Sequence, residues 1–382
     1  MVALLTVWCC PICRGRLAEE IKDARLCCVR CGTPFEVIAG IPDLRVARPS
    51  WVDVDADREG ALQLDRDTRG ETLEAVIRRV FARQPHRTAA EVDYRVRQVL
   101  ASPGRLHRQV HGWLRSVALT PGYVDVGCGP GLLLAASAQD GVSGLGIDAS
   151  LEWLVIARRM IQAHGGRATL CAALCEALPL PDGSAPAIAS LDVIEHCGDQ
   201  RRHLREIDRI AAPSAAFALA TPNRFSVTAE PHVGVWGVGW LPARWQRRYV
   251  RLRSGKPYDF VRLLSVPGLK RLLKRETHFD GRFIVPRIPD EEIELFEERR
   301  AKLARTYNRI AERRMLRWPL FAIGPFFRFV GVRRSDVGRR AARMPTELAV
   351  PIRRGDEVRA PEHAPRPSPR RDPAHPPAPR GD

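Results

Sequence analysis

Four cysteines near the start of the chain form two matched pairs that could bind a metal ion. Cys10 and Cys13 belong to a Cys-Pro-Ile-Cys sequence, and Cys28 and Cys31 belong to Cys-Val-Arg-Cys followed by glycine. Each pair can make a tight turn that directs two thiolates at one ion, and two such turns complete a tetrahedral four-thiolate zinc site. Because four cysteines leave no open coordination position, we predict a structural zinc.

Two alternatives to this interpretation stay open at the level of the sequence. Cys9 and Cys27 stand next to the chosen ligands and could replace them in register, although the proline and glycine of the chosen pairs suit tight turns. A redox-active pair is the other alternative, but two matched pairs in one short module favour a metal.

A glycine-rich turn later in the chain could bring backbone amides close to a nucleotide-like ligand. Gly127, Gly129 and Gly131 follow the β-type run Tyr123–Val126 and precede an apolar, helix-like stretch. The dinucleotide fingerprint would place its third glycine at position 132, which is leucine here, so the spacing disfavours NAD. Such a turn lets backbone N–H groups contact a ligand at the start of a helix.

Acidic and histidine side chains stand at the ends of the apolar runs around this turn. Asp125 lies within the first run, and Asp148 ends the second, where a carboxylate can accept hydrogen bonds from both hydroxyls of a ribose. Asp192, Glu195 and His196 follow a later run. Carboxylates and imidazoles are the usual general acids and bases of enzymes.

The glycine turn, the acid at a strand end and the later segment 190–196 occur in one order, and together they resemble class I S-adenosylmethionine-dependent methyltransferases. The likeness runs from about Tyr123 to Thr221 and continues through Thr-Pro-Asn-Arg-Phe-Ser, a common ending of the fifth strand in these enzymes. The stretch from Cys10 to Leu44 is similar to the short zinc-ribbon proteins that accompany methyltransferases as activating subunits. Here such a module would be fused in cis.

The resemblance implies a site for S-adenosylmethionine. It places the methionyl part of the cofactor among Asp125, Gly127, Gly129 and Gly131, the ribose at Asp148, and the adenine in the loop that contains Leu174 and Cys175. The family often has an acid where this chain has Leu174. Adenine would then be held here by backbone groups and apolar contact.

The acceptor and any general base are less defined. Methyl transfer from a sulfonium is an in-line displacement, so the protein must mainly align a nucleophile with the methyl group. For a hydroxyl acceptor a base helps, and His196 is the first candidate because this position faces the cleft in related enzymes. Asp192 and Glu195 are second candidates and His232 is a third. An alternative role for His196 is to cap a helix or pack under the sheet.

The elements that must position these residues follow from the hydrophobic pattern. Short apolar runs alternate with amphipathic stretches, which predicts an α/β fold with a Rossmann-like doubly wound sheet of the seven-stranded methyltransferase type. The predicted strands are Tyr123–Val126, Leu145–Asp148, Ala168–Leu174, Ala187–Asp192 and Phe217–Thr221, and the predicted helices are Leu132–Gln139, Leu151–Ala163 and Arg201–Ile210.

Composition divides the chain into four regions. Residues 1–48 hold six of the ten cysteines and are the predicted zinc ribbon. Residues 49–118, with helical periodicity, are a predicted helical linker or cap. Residues 119–350 form the predicted methyltransferase domain. Residues 351–382 contain nine prolines and almost no large apolar side chains, so we predict a disordered tail.

Two segments late in the chain bear on the partners of the protein. Residues 222–290, rich in tryptophan and arginine, are predicted to bind the acceptor, and a helical lid packing its tryptophans on the sheet is the alternative. Residues 291–317 are predicted to form one long charged helix. Residues 318–332 either contain the last strand of the sheet, Phe326–Val332, which we prefer, or lie on a membrane surface as a peripheral contact.

Charge and hydropathy limit the classes of function. The net charge of +17 would attract nucleic acid, anionic lipid or acidic substrates, but all but five of the 61 basic residues are arginine and they are scattered. No run approaches the roughly 18 apolar residues of a transmembrane helix. The apolar stretch that precedes the first cysteine pair is too short for a signal peptide. We therefore expect a cytoplasmic protein with reduced thiols.

We thus predict an S-adenosylmethionine-dependent methyltransferase that acts on a small-molecule, lipid or glycan acceptor. The alternative is an RNA methyltransferase, since rRNA guanine methyltransferases share the combination of zinc ribbon and positive charge. It ranks second because the arginines are dispersed and an Asn-Pro-Pro-Tyr type motif is missing from the sequence. An inactive scaffold with the methyltransferase fold is a third hypothesis.

Overall fold

The computed structural model describes residues 7–20, 25–48, 52–83, 88–259, 261–294, 296–313 and 318–334. The predicted tail and the last part of the predicted methyltransferase domain, from residue 335 onward, lie outside the described residues.

A small antiparallel sheet contains the paired cysteines. Its strands, in spatial order, are β1 (Leu17–Glu20), β2 (Arg25–Cys28), β3 (Pro34–Ile38) and β4 (Ile41–Pro42). Cys10 and Cys13 precede β1, whereas Cys28 ends β2 and Cys31 lies in the turn that leads to β3. The first and second cysteine pairs are therefore brought together by the pairing of β1 with β2.

Four helices follow, and they pack on the main domain through apolar faces. They are α1 (Val54–Asp67), α2 (Leu73–Arg83), α3 (Ala89–Val110) and α4 (Arg115–Ala118). Asp53 caps α1, and Thr88 with Glu91 forms a capping box at the start of α3. Side chains such as Leu64 and Val96 are fully buried in the core that these helices share with the helices of the main sheet.

Strands and helices then alternate as the pattern of the sequence predicts. The order is β5 (Val124–Val126), α5 (Leu132–Ala138), β6 (Leu145–Asp148), α6 (Leu151–Ala163), β7 (Thr169–Ala172), β8 (Ala185–Leu191), α7 (Gln200–Ile210) and β9 (Ala211–Pro222). The last part of the described chain adds α8 (Ala243–Ser254), α9 (Val266–Glu276), β10 (Phe279–Ile284), α10 (Asp290–Ile293), α11 (Glu298–Glu312), α12 (Trp318–Ile323) and β11 (Phe326–Arg333).

The main sheet has seven strands in the order β10-β11-β9-β8-β5-β6-β7. Strands β5 to β9 are parallel, and β11 pairs antiparallel with both β9 and β10. The predicted fold class, a doubly wound sheet of the seven-stranded methyltransferase type, is confirmed. The preferred assignment of Phe326–Val332 to the last strand is also confirmed, and Phe327 and Phe329 in it are buried.

Two predictions about the later chain are wrong. Residues 291–317 do not form one helix, because the chain bends between α10 and α11 so that Ile293 packs with Ala301 and Ala304. In a straight helix eight residues span about 12 Å, which would keep Ile293 and Ala301 apart. The alternative for residues 222–290, a helical lid that packs its tryptophans on the sheet, is also wrong, because Trp236, Trp240 and Trp245 are exposed. Binding of the acceptor by this segment, which contains β10 of the main sheet, stays a prediction.

The small sheet is attached to the free edge of the main one. The backbone N–H of Leu44 donates to the carbonyl of Ala172 in β7 at 2.7 Å, and the N–H of Cys9 donates to Pro179 at 2.9 Å. Trp8 and Phe35 share a buried core with apolar residues of the main domain. The module thus covers an edge that would otherwise leave unpaired backbone groups. Within the described residues, no helix is long and apolar enough to cross a bilayer.

Candidate functional site

A cavity of about 500 Å³ lies where the parallel strands β5 to β8 end. In doubly wound sheets the loops that follow the carboxyl ends of the strands form the ligand site. Sixteen residues line the cavity, and seven of them are predicted site residues (Gly127, Gly129, Asp148, Leu174, Cys175, Asp192 and His196). The others are Val52, Val126, Ile147, Ala149, Ser150, Trp153, Ala173, Glu176 and Val193.

The three glycines of the turn are required for different structural reasons. All three adopt positive φ, at +77° for Gly127, +49° for Gly129 and +72° for Gly131. An added Cβ would lie 2.2 Å from Val193 at the first position and 2.9 Å from Ala157 at the third, so packing excludes side chains there. At Gly129 an added Cβ would meet none of the described atoms within 4 Å. The backbone of Gly129 is therefore open to a ligand in the cavity.

Two backbone N–H groups fix the carboxylate of Asp148. The N–H of Gly129 donates to one carboxylate oxygen at 2.8 Å, and the N–H of Ser150 donates to the other at 2.9 Å. Each oxygen retains a lone pair that can accept a ligand hydroxyl. Burial raises the pKa of Asp148. Burial, together with the charge of Asp148, raises the pKa of Asp125 to about 7.

The loop after β7 forms another wall of the cavity. Leu174 and Cys175, which the sequence assigns to adenine, both line the cavity. Glu176 lines it too, and its carboxylate accepts the N–H of Gly198 at 2.8 Å, which ties this loop to the one after β8. Trp153 was not predicted as a site residue. Its place in the first turn of the helix after Asp148 is the sequence signal that could have found it.

A second thiol cluster lies directly behind this wall. The Sγ atoms of Cys175 and Cys197 are 3.0 Å apart, and Nδ1 of His203 is 3.3 Å from the carbonyl oxygen of Cys175. The neighbouring thiol of Cys197 and burial raise the pKa of Cys175, which keeps it a neutral thiol. These three residues bring their ligand atoms within 4.8 Å of one another, so the group could hold a metal ion.

The acidic candidates for catalysis lie after β8, partly beneath the cavity. Asp192 adopts φ +56°, a conformation that is uncommon for a residue with a side chain. Glu195 is buried, and one of its oxygens accepts the hydroxyl of Thr221 at 2.9 Å, whereas the other has no partner among the described residues. Burial and the charge of Asp192 raise the pKa of Glu195 to about 8. Glu195 is therefore mostly protonated near neutral pH.

Two histidines meet at the same place. The ring centroids of His196 and His232 are 4.7 Å apart and the rings are nearly perpendicular. Nδ1 of His232 forms a hydrogen bond with Glu230, which also accepts the N–H groups of His232 at 2.9 Å and Val233 at 3.0 Å. Burial would lower the pKa of His232, but the hydrogen bond and charge of Glu230 raise it. Glu230 thus orients the imidazole of His232.

Two further groups complete this part of the site, and the sequence analysis did not identify them. Glu230 stands two residues before a predicted candidate, so its spacing from His232 was the available signal. Arg328 comes from β11, more than a hundred residues from Asp192 along the chain, and its guanidinium lies 4.5 Å from the ring centroid of Trp113. Burial lowers the pKa of Arg328 to about 10, against the charge of Asp192. Glu195, His196 and His232 could also hold a metal ion.

The four predicted metal ligands converge in the small sheet. Sγ of Cys10 is 3.7 Å from Sγ of Cys31, and Sγ of Cys13 is 3.4 Å from Sγ of Cys28. In a tetrahedral site with Zn–S bonds of about 2.3 Å, the sulfurs are about 3.8 Å apart, so the four thiols fit zinc. Cys9 and Cys27, the alternatives in register, lie outside this cluster.

The chain is similar in sequence to known methyltransferases. Residues 124–219 match the family model described as a methyltransferase domain. A ubiquinone biosynthesis O-methyltransferase of Sinorhizobium medicae is 33% identical over 153 residues, which cover 38% of this chain and 59% of that protein. A probable S-adenosylmethionine-dependent methyltransferase of Mycolicibacterium smegmatis is 32% identical over 126 residues, 32% of this chain and 46% of the relative.

A solved structure, the S-adenosylmethionine-dependent methyltransferase from Mesorhizobium loti, is 21% identical, with a TM-score of 0.40 over 58% of this chain and 97% of that one. The chain spans about half the length of the curated relatives it matches. Residues 124–219 are therefore similar to methyltransferase domains, and the strand order of the main sheet is the one predicted for that fold.

Proposed function

We propose that this protein is an S-adenosylmethionine-dependent methyltransferase that acts on a small-molecule, lipid or glycan acceptor. The observation that supports this most strongly is the cavity at the ends of β5 to β8, in which the open backbone of Gly129 faces the same space as Asp148. The relative from Sinorhizobium medicae is named for an O-methylation in ubiquinone biosynthesis, which favours a small acceptor. We propose the same domain division as the sequence analysis, with the ribbon at 1–48 and the helical cap at 49–118.

The residues of the cavity fit the cofactor. Asp148 would accept the ribose hydroxyls, and Leu174 with Cys175 would contact adenine. Gly127 and Gly129 would lie against the methionyl part, with Asp125 and Gly131, which do not line the cavity, behind them. When bound, the cofactor supplies an electrophilic methyl group. The protein's own residues then have to bind the acceptor, exclude water and remove a proton from the nucleophile.

We propose that His232 rather than His196 is the base for a hydroxyl acceptor. A histidine base works best when a second group fixes its ring and tautomer, and Glu230 does this for His232. Protonated Glu195 and the neighbouring Asp192 would then position the acceptor or the imidazole. His196, the first candidate from the sequence, lines the cavity and would contact the bound molecules.

To test the function, the protein is mixed with a cell extract and with S-adenosylmethionine that carries a labelled methyl group. The mixture is then separated into RNA, lipid and small-molecule fractions, and the label in each fraction is measured. We expect label in the lipid or small-molecule fraction. Label confined to RNA would support the alternative function instead, and label in none of the fractions would favour an inactive scaffold.

The cofactor assignment predicts a large effect of Asp148→Ala on binding of S-adenosylhomocysteine. Loss of the carboxylate removes charge-assisted hydrogen bonds to the ribose, so we expect the dissociation constant to rise roughly 30- to 100-fold. Isothermal titration calorimetry measures this directly. Equal affinities of the variant and the wild type would refute the ribose assignment.

A pair of glycine variants provides the matched control. Gly129→Ala places a methyl group into the cavity and is expected to weaken binding. Gly122→Ala introduces the same substitution at φ +75°, where an added Cβ also meets none of the described atoms within 4 Å, but outside the cavity wall. Because backbone strain is similar in both variants, a loss of affinity in Gly129→Ala alone identifies contact with the ligand.

We further propose that Cys10, Cys13, Cys28 and Cys31 bind one structural zinc ion. We expect one zinc per chain by elemental analysis, and none in the Cys10→Ser/Cys13→Ser double variant, which should also unfold at lower temperature. Cys27→Ser should keep its zinc, because Cys27 lies outside the cluster. Purified protein that is free of metal and as stable as the zinc-loaded form would contradict the proposal.

A further inference from the structure

Helix α8 and the turn after it have an unbalanced positive charge. Residues 243–258 contain six basic side chains and no acidic one. Arginines elsewhere in the described chain form ion pairs, for example those of α1 and α2. By contrast, Arg248, Arg251 and Lys256 have no ion-pair partner among the described residues. A concentration of free cations on one short helix indicates an anionic partner.

These cations line an open cavity of about 430 Å³, distinct from the cofactor cavity. Its wall consists of Arg247, Arg248, Arg251, Gly255, Lys256, Pro257, Tyr258 and Asp259. The single acid, Asp259, is already paired with Arg247. Tyr258 is only 5% exposed, and its hydroxyl has no hydrogen-bond partner among the described residues. Arginine and lysine around one concave space are the usual ligands of a phosphate group.

Large exposed apolar side chains lie on α8 and in the loop before it. Trp245 and Leu252, which are 50% and 76% exposed, stand seven residues apart and so lie on one face of α8. Trp236 and Trp240, in the loop before α8, are also exposed, and their indole N–H groups donate to backbone carbonyls at 3.0 and 3.1 Å. Val250, on the opposite side of α8, is buried and anchors the helix.

The combination of exposed tryptophan and leucine with arginine is typical of helices that lie in a membrane interface. Nucleic acid would account for the cations and the indole rings, which can stack on bases. It would not account for Leu252, the most exposed of the large apolar residues on this helix, since leucine has no aromatic face. The surface therefore fits a lipid bilayer better than it fits RNA.

We infer that this surface docks on an anionic membrane, with the phosphate of a phospholipid headgroup in the cavity formed by Arg248, Arg251 and Lys256. We name the surface formed by these three residues with Trp236, Trp240, Trp245 and Leu252 the α8 face. Binding of the α8 face to a membrane does not depend on the proposed methyl transfer.

The test is co-sedimentation of the full chain with vesicles at physiological ionic strength. We expect binding to an equimolar mixture of phosphatidylglycerol and phosphatidylcholine and little binding to phosphatidylcholine alone. Arg248→Gln/Arg251→Gln should lower the partition coefficient roughly 20- to 30-fold, since each basic residue near an anionic surface contributes about 1 kcal/mol. Leu252→Asp should lower it as well, and circular dichroism should show that both variants are folded.

The matched control is Arg201→Gln/Arg205→Gln on α7, which removes the same charge from two exposed arginines. It should retain vesicle binding. An equal loss in both double variants would reduce the effect to net charge and overturn the inference. Equal binding to both kinds of vesicle would overturn it too. Tighter binding of inorganic phosphate than of vesicles would also overturn it. The same holds if RNA displaces the protein from vesicles and binds the Leu252→Asp variant as tightly as the wild type.

Discussion

Replacing His232 by glutamine is expected to lower the rate of methyl transfer to a hydroxyl acceptor roughly 100- to 10,000-fold, the usual contribution of a general base. Affinity for S-adenosylhomocysteine should stay unchanged, because His232 is not among the residues that line the cofactor cavity. The rate is measured as label transferred from the cofactor into the acceptor fraction identified in the extract experiment. Glutamine keeps the size and a polar end of the side chain but cannot take up the proton.

The pH dependence separates a base from a structural residue. The charge of Glu230 raises the pKa of His232, so the neutral imidazole becomes available only above this raised pKa, and the rate should rise with pH through it. Glu230→Gln removes the charge and should move the midpoint of the profile to lower pH. A larger loss in His196→Gln than in His232→Gln, or a profile that Glu230→Gln does not move, would contradict the assignment.

Arg45→Gln is expected to destabilise the protein by about 3–5 kcal/mol, the usual result of leaving buried charges without their partner. The side chain of Arg45 is 1% exposed, and it lies 2.8 Å from Asp43 and 2.6 Å from Asp57. It also donates to the carbonyl of Ala149 at 2.8 Å. Asp57 in turn accepts the N–H of Leu151 at 2.9 Å, so the network joins the ribbon, α1 and α6.

The control for this prediction is Arg48→Gln, only three residues away. Arg48 and Asp55 form an ion pair whose side chains are 69% and 61% exposed, and such pairs contribute at most about 1 kcal/mol. Free energies of unfolding from urea titrations measure both variants. If Arg45→Gln cost no more than Arg48→Gln, the buried network would not stabilise the fold.

Because of this network, the free energy of unfolding also depends on pH. Burial alone would raise the pKa of Asp43, but the hydrogen bonds and charges of Arg45 and Arg58 outweigh it and lower this pKa below its ordinary 3.8. The folded protein therefore binds this proton less readily than the unfolded chain does. The stabilisation is complete above the unfolded pKa and is lost as the pH falls through the folded one. Arg45→Gln should weaken this dependence.

Local patterns in the sequence were sufficient to predict the strands of the main sheet. The apolar runs around Gly127 and Asp148 lie within a residue or two of the observed β5 and β6, because a strand buried on both faces must be apolar. The glycine turn was recognisable from its own spacing, although the side chains that leave no room for a Cβ there, Val193 and Ala157, are distant in the sequence. What could be predicted thus depends on residues close together in the sequence or on a single buried surface.

Features that depend on side chains far apart in the chain were not predictable in this way. Arg328 reaches the candidate site from the last strand, and neither periodicity nor spacing connects it with Asp192. The hydrogen bond from the N–H of Leu151 to Asp57 likewise arises only when α1 packs on α6. The bend before α11 was missed for a different reason, because the helical pattern of residues 291–317 does not reveal the turn that lets Ile293 pack with Ala301.

The attachment of the ribbon to β7 has a thermodynamic consequence. Leu44 bonds to Ala172, two residues before Leu174 in the loop proposed to contact adenine, and Arg45 bonds to Ala149, the neighbour of Asp148. The amino-terminal module and the wall of the cavity therefore share the same two stretches of backbone. If zinc binding to the module strengthens binding of S-adenosylhomocysteine in the cavity, linkage requires that bound S-adenosylhomocysteine strengthen zinc binding by the same free energy.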